Sequence, residues 1–309
     1  MKLFIVGVGR SGTSLLQSIL SSHSNIAMPP ETGFLRKGIF SFKRHENISY
    51  QKFTDLYPRL DRIPPAVFDH HPGSFSNGFD FYRYTLRKIA SQEEAEIAGD
   101  KDPKLIEYIS GTAMLWSESK FIHLVRDPRD VLLSKKKAAW SKGKPSWYHI
   151  FANYVQLKMG EWQGHKLTGK RYVTVTYEDL LAHPEETITQ ICDFLGIEFE
   201  ESMLSFQKKA KELISDEETQ WKKETMGPLL KNNTGKWKGK LEPWEVALTE
   251  QLCQQAFEIG RYQYSRAIKE LSFFDKLYVK SVSIMLKGFG YVYMGYRKFY
   301  QKFIVWWKR

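Results

Sequence analysis

Cysteine is nearly absent: among 309 residues only Cys192 and Cys253 occur, both inside apolar patterns with helical spacing. A disulfide framework and a cysteine-rich metal site are thereby excluded, and a reducing compartment is the expectation. No cluster of metal-ligating residues stands out, so no metal is expected. Long apolar runs are missing too, none approaching the roughly 18 uncharged residues that a membrane span requires. The first apolar run begins at Leu3, which leaves no room for a signal peptide. The chain therefore reads as cytoplasmic. No internal repeat is visible, and the length suits one large α/β domain with a sizeable core.

Acidic charge is the scarcer sign, with 35 Asp and Glu against 46 Lys and Arg and a formal net charge of +11. From Lys269 to Arg309, nine Lys or Arg face only Glu270 and Asp275, so +7 of that +11 lies in the tail. A nucleic-acid-binding domain would spread its basic residues over a folded face. Concentration in a tail points instead to an acidic surface, and nucleic acid is not an expected partner.

One further absence is specific. Leu3 to Val6 read as a strand buried on both faces, as in a parallel sheet covered by helices. Gly7, Gly9 and Gly12 then permit a turn whose N–H groups converge on an anion, and Thr13 and Ser14 open a helix whose positive end meets the same spot. The spacing Gly7-x4-Gly12-Thr13-Ser14 matches a nucleotide triphosphate P-loop, except that Thr13 stands where its lysine belongs. That lysine reaches the β- and γ-phosphates, so a loop without it suits a shorter or less charged tail. A plain strand-to-helix connection is the other reading.

Downstream, Asn25 to Met28 form a second short strand, and Pro29-Pro30 set up a helix start at Glu31-Thr32, where a carboxylate caps favourably. Residues 36–97 are aromatic, basic and irregular, an insertion of the kind that selects substrates in α/β enzymes. Lys101, flanked by Asp100 and Asp102, reads either as a solvated salt bridge or as a cation held in place by its neighbours. Phe121 to Val125 is a strand turned by Arg126-Asp127-Pro128 into a helix. Ligands bind outside the carboxyl ends of such strands, so Arg126 and Ser134 could close on one phosphate. A capping network of Arg126 with Asp127, Arg129 and Asp130 is the alternative.

A helix over 147–163, a strand over 172–177, a helix from His183-Pro184 to Gly196, a basic flap over 208–240 and a final helix over 243–262 complete a doubly wound α/β pattern. In the tail, Leu271, Phe274, Tyr278, Val282, Met285, Phe289, Val292, Tyr296, Phe299, Phe303 and Trp306 recur at steps of three and four. That stripe would pack on its own domain, on a second copy, or on an anionic bilayer.

Taken together, GRSGTS (9–14), VRDPRD (125–130) with Ser134 following, TYEDLLAHPE (176–185) and GKWK (235–238) resemble, in order over roughly residues 1–265, the sulfotransferases that use 3′-phosphoadenylyl sulfate (PAPS). RSGTS, Glu31-Thr32 after a proline-rich turn and Lys101-Asp102-Pro103 are most similar to the tyrosylprotein and Golgi-type branch. The resemblance implies a P-loop-like, mainly parallel α/β domain over residues 1–268; residues 269–309, which lie outside it, read from their own stripe and charge as a helical extension. It implies that Arg10, Ser11, Gly12, Thr13 and Ser14 hold the 5′-phosphosulfate, that Arg126 and Ser134 grip the 3′-phosphate, and that Tyr177 and Lys236 make further donor contacts. Glu31 falls at the general base and Lys101 at a stabiliser of the transition state, with Arg10 beside them; PAPS would be the co-substrate and adenosine 3′,5′-bisphosphate the product.

There are departures from the likeness. Ala138 replaces an arginine of that branch, and its lid serine has no clear counterpart before Asn232. The anchor and disulfides of Golgi members are lacking, which turns the expectation from a protein tyrosine towards a bacterial-type member acting on a carbohydrate or lipid-linked glycan hydroxyl, in the cytoplasm or at the inner face of the membrane. A nucleotide kinase or hydrolase, and a non-catalytic nucleotide-binding or membrane-docking protein, are the competing readings.

Overall fold

A computed structural model describes the chain except residues 42–46, 70, 72, 168–169, 216–217, 220–222, 231–232 and 309. The strands are β1 (Lys2–Gly7), β2 (Ile26–Ala27), β3 (Ile48–Ser49), β4 (Ser74–Phe75), β5 (Ile97–Lys101), β6 (Lys120–Val125) and β7 (Tyr172–Thr176). The helices before β7 are α1 (Thr13–Leu20), α2 (Tyr50–Leu56), α3 (Gly78–Gln92), α4 (Ile109–Leu115), α5 (Pro128–Lys137) and α6 (Ser146–Gly164). After it come α7 (Tyr177–Ala182), α8 (Pro184–Leu195), α9 (Gln207–Leu213), α10 (Pro243–Leu252), α11 (Gln254–Gly260), α12 (Ala267–Glu270) and α13 (Phe273–Lys308).

The apolar run after Met1 forms the middle of a parallel sheet of order β2-β5-β1-β6-β7. Alternate side chains of β1 feed opposite layers. Leu3 and Ile5 pack with α1 and α8, whereas Phe4 and Val6 pack with the aromatic insertion, around Phe34, Phe53 and Phe81. Both faces are thus covered, and the crossovers leave the carboxyl ends of β1, β5 and β6 side by side. The mainly parallel, doubly wound architecture agrees with the reading of the sequence.

Two local expectations are corrected. No helix starts at Glu31; residues 31–33 belong to no regular element, Gly33 turning the chain with a φ of +64°, and Thr32 Oγ1 accepts the Phe34 N–H (3.2 Å) just before a one-turn wide helix, Leu35–Ile39. The expected helix over 243–262 is broken at buried Cys253 into α10 and α11. Both cysteines are buried free thiols.

The tail is one 36-residue helix, α13, but its buried side is not the stripe that the sequence emphasises. Val279, Leu286, Ile304 and Val305 face the domain, Tyr300 Oη donates to Phe40 O (3.0 Å), and Gln301 Oε1 accepts from Gly111 N (2.9 Å). Gly290 permits close approach to the Tyr154 ring. Most of the stripe faces outward, with Phe274 79%, Val292 73%, Phe299 68% and Trp306 72% exposed. No helix among the described residues is long and apolar enough to cross a membrane.

Candidate active site

The turn after β1 is tight because it wraps around Tyr177. A side chain at Gly12, whose φ is +95°, would enter the Tyr177 ring, and no side chain caps the N-terminus of α1. Arg10 also adopts a positive φ, +80°, a strained conformation that aims its side chain across the strand ends. Its Nε donates to Ser134 Oγ on α5 at 3.0 Å.

Arg126 leaves the end of β6 beneath this turn, its guanidinium 4.2 Å from the Tyr177 ring centre. It donates to Arg10 O (3.3 Å) and Asn233 O (2.9 Å), while its buried Nε has no partner among the described residues. Arg126 and Ser134 are therefore each joined to Arg10. The capping network exists without Arg126: Asp127 receives Arg129 N (2.9 Å) and pairs with the Arg129 guanidinium, which also reaches Glu250 (2.7 Å). Asp130 accepts from Gly235 N (2.6 Å) and Trp237 N (2.9 Å), which pins the GKWK turn to the start of α5. Burial holds the Asp130 carboxyl above its ordinary range although Arg126 and those two amides pull it down. Lys236 stands in this turn, outside the cavity wall.

Lys101 is not a solvated cation. Its side chain is 1% exposed, and its ammonium donates to the Glu31 carboxylate and, at 3.2 Å, to Ser14 Oγ. The flanking aspartates are engaged elsewhere. Asp100 accepts from Tyr82 Oη, and burial pushes its carboxyl up to about 7. Asp102 pairs with Arg36 (2.9 Å), though burial still holds it above the usual carboxylate range.

These groups surround two adjoining cavities. One, about 260 Å³, is lined by Arg10, Gly12, Thr13, Ser14, Arg126, Tyr177 and Asn233. The other, about 570 Å³, lies towards α6 and α13, between Lys104, Lys135, Lys144, Tyr148 and Arg297. Glu31 belongs to both walls, with Gly9, Arg59, Pro103 and Trp140. In the second cavity Arg297 pairs with Glu107 (2.7 Å), and burial brings Lys135 down to about 7.

Ser11 is buried in the loop, donating its N–H to Val8 O (3.0 Å) rather than lining the cavity. Asn233, Arg59, Trp140 and the tail's Tyr293 and Arg297 were not singled out by the sequence. Asp130 could have been: a second aspartate after Arg126, with a glycine-rich basic turn still lacking an anchor, suggests their pairing. Part of the basic flap, Asn232 included, lies outside the described residues. Its described portion contributes Thr225, Leu229 and Leu230 to the first cavity.

Comparison with known proteins bears on the fold and the family. An uncharacterized protein of Aquifex aeolicus is 23% identical over 275 residues, covering 84% of this chain but 34% of the relative, so the chain spans about a third of that protein's length. A putative protein-tyrosine sulfotransferase of Caenorhabditis briggsae is 27% identical over 209 residues, covering 65% of this chain and 68% of the relative. The sulfotransferase domain from the Synechococcus PCC 7002 olefin synthase shares the fold, with a TM-score of 0.64 at 21% identity over 86% of this chain and 96% of that one. The model of the Sulfotransferase family matches residues 2–201, and the chain belongs to that family.

Proposed function

We propose that the chain transfers a sulfuryl group from PAPS to an acceptor hydroxyl. The observation that carries the reading is the position of Glu31, in the wall shared by the phosphate-loop cavity and the larger basic one. The donor would occupy the former and the acceptor the latter. The loop N–H groups with Arg10, Thr13 and Ser14 suit a phosphosulfate, and the orphaned Arg126 Nε, with Ser134 bridged through Arg10, suits a second phosphate. Tyr177 supports Arg126 by stacking.

In the reaction the acceptor oxygen attacks sulfur, an S–O bond forms, and the bond from sulfur to the phosphate oxygen breaks. That oxygen keeps the electron pair and leaves as adenosine 3′,5′-bisphosphate, while the acceptor proton passes to Glu31. Lys101, already between Ser14 and Glu31, would stabilise charge growing on the sulfonyl and leaving oxygens. No step requires a metal.

The acceptor we favour is a hydroxyl on a carbohydrate or lipid-linked glycan, in keeping with the many polar and basic side chains of the second cavity. The free thiols suit the cytoplasm, and the outward stripe of α13 with Lys276, Lys280, Lys298 and Lys302 suits the inner face of an anionic membrane. Flotation with phosphatidylglycerol vesicles tests that docking: Phe274→Glu with Phe299→Glu should abolish it, and unchanged flotation would refute it. Incubation with sulfur-labelled PAPS and a cell extract tests the reaction. Label should move to an acceptor only when the chain is present; transfer of the ATP γ-phosphate instead would favour the kinase reading.

A further inference from the structure

The basic cavity shares two wall residues, Phe151 and Tyr293, with a third cleft of about 450 Å³ between α6 and α13, whose walls include Trp147, Phe289, Val292 and Tyr296. The two differ sharply in chemistry. Arg36, Arg59, Lys104, Lys135, Lys144 and Arg297 outnumber Glu31, Asp102 and Glu107 in the first, whereas the second is apolar and aromatic throughout. Phe289, Val292 and Tyr296 also belong to the outward stripe of α13, at 60%, 73% and 53% exposure, so the cleft opens on that face.

A polar, cationic chamber with Glu31 in its wall, lying next to an apolar groove, fits a ligand with the same two ends. We infer that the acceptor is an anionic lipid with a hydroxyl-bearing head, the head lying in the basic cavity and the apolar chain running past Phe151 and Tyr293 into the α6–α13 cleft. The inference rests on the sulfuryl-transfer reading and narrows its acceptor, from a carbohydrate or lipid-linked hydroxyl, to one on a lipid. The cations match the head, and the cleft removes chain surface from water, which is the term that should dominate affinity. Because the cleft shares residues with the stripe, a lipid would enter from the surface on which the helix lies.

Calorimetric titration with lysophosphatidylglycerol below its micelle concentration, compared with glycerophosphoglycerol, tests the idea, since the two share a head and differ by the chain. The chain-bearing ligand should bind about tenfold or more tightly. Phe289→Ser with Val292→Ser should remove most of that advantage and leave the chainless ligand unaffected. Both positions are exposed, so folding is not at stake. Phe274→Ser, on the stripe but outside the cleft, should change nothing. Equal affinity for the two ligands, no binding of either, or equal losses from the cleft and Phe274 variants would overturn the inference. The donor site is read separately, by thermal shift with adenosine 3′,5′-bisphosphate. Chain-independent binding with that shift intact counts against the lipid alone, whereas chain-dependent binding without it counts against the donor reading.

Discussion

Lys101 and Glu31 form an ion pair in which the lysine is buried behind the cavity walls and the carboxylate reaches both chambers. The contact gives Glu31 a structural duty beside its proposed role as base. Glu31→Gln leaves a buried ammonium with a weaker partner, so stability should fall by about 1–3 kcal/mol. Turnover, measured well below the melting temperature, should fall about 100-fold or more, with donor affinity nearly constant. A variant with a lowered melting temperature and near-normal turnover would leave Glu31 with the structural duty alone.

Arg126 makes the second prediction. Its unpartnered Nε suits the 3′-phosphate, so Arg126→Ala should weaken adenosine 3′,5′-bisphosphate binding by roughly 10- to 150-fold, the equivalent of about 1.5–3 kcal/mol. Adenosine 5′-phosphosulfate lacks that phosphate and should lose only a few-fold, through the bonds to Arg10 and Asn233. Equal losses for both ligands, measured by calorimetry, would make Arg126 a scaffold for the loop.

Lys135 provides a test in pH. Burial brings its ammonium from 10.5 down to about 7, and the group donates to Asn153 Oδ1 at 2.6 Å. Between these values the unfolded chain binds a proton that the folded chain does not, so this group makes stability rise with pH across that window and contributes nothing to the slope below it. Denaturation of wild type and Lys135→Met at pH 7 and pH 10 should show the wild type gaining on the order of 2–4 kcal/mol more than the variant. Parallel pH profiles would show that Lys135 titrates normally.

The central strands and the loop were legible because their signals are local: apolar runs, glycine spacing, and an Asp-Pro helix start. β5 was legible only at Ile97-Ala98. Its remaining residues are glycine and charged, and their burial depends on Tyr82, which donates to one Asp100 oxygen, and on Glu31 and Ser14, which accept from Lys101, all far away in the chain. No local pattern carries that information. The same holds for Glu31, whose double proline promised a cap while its carboxylate reaches Lys101 on β5.

The tail misled for a different reason. Apolar periodicity picks out the more regular greasy face, yet the face that packs contains the buried Ser283 together with Gly290 and Gln301, the last two matched to Tyr154 and Gly111 on the domain. Amphipathic analysis sees a stripe and cannot tell burial from display.

The claim that the two cavities meeting at Glu31 serve sulfuryl transfer is tested most directly by the ligand that the loop side should hold. Thermal scanning with adenosine 3′,5′-bisphosphate, with ATP and magnesium, and with buffer alone should show a large stabilisation for the first ligand only, about 2.7 kcal/mol at a hundred times its dissociation constant. A shift with ATP and magnesium, and none with adenosine 3′,5′-bisphosphate, would contradict the account.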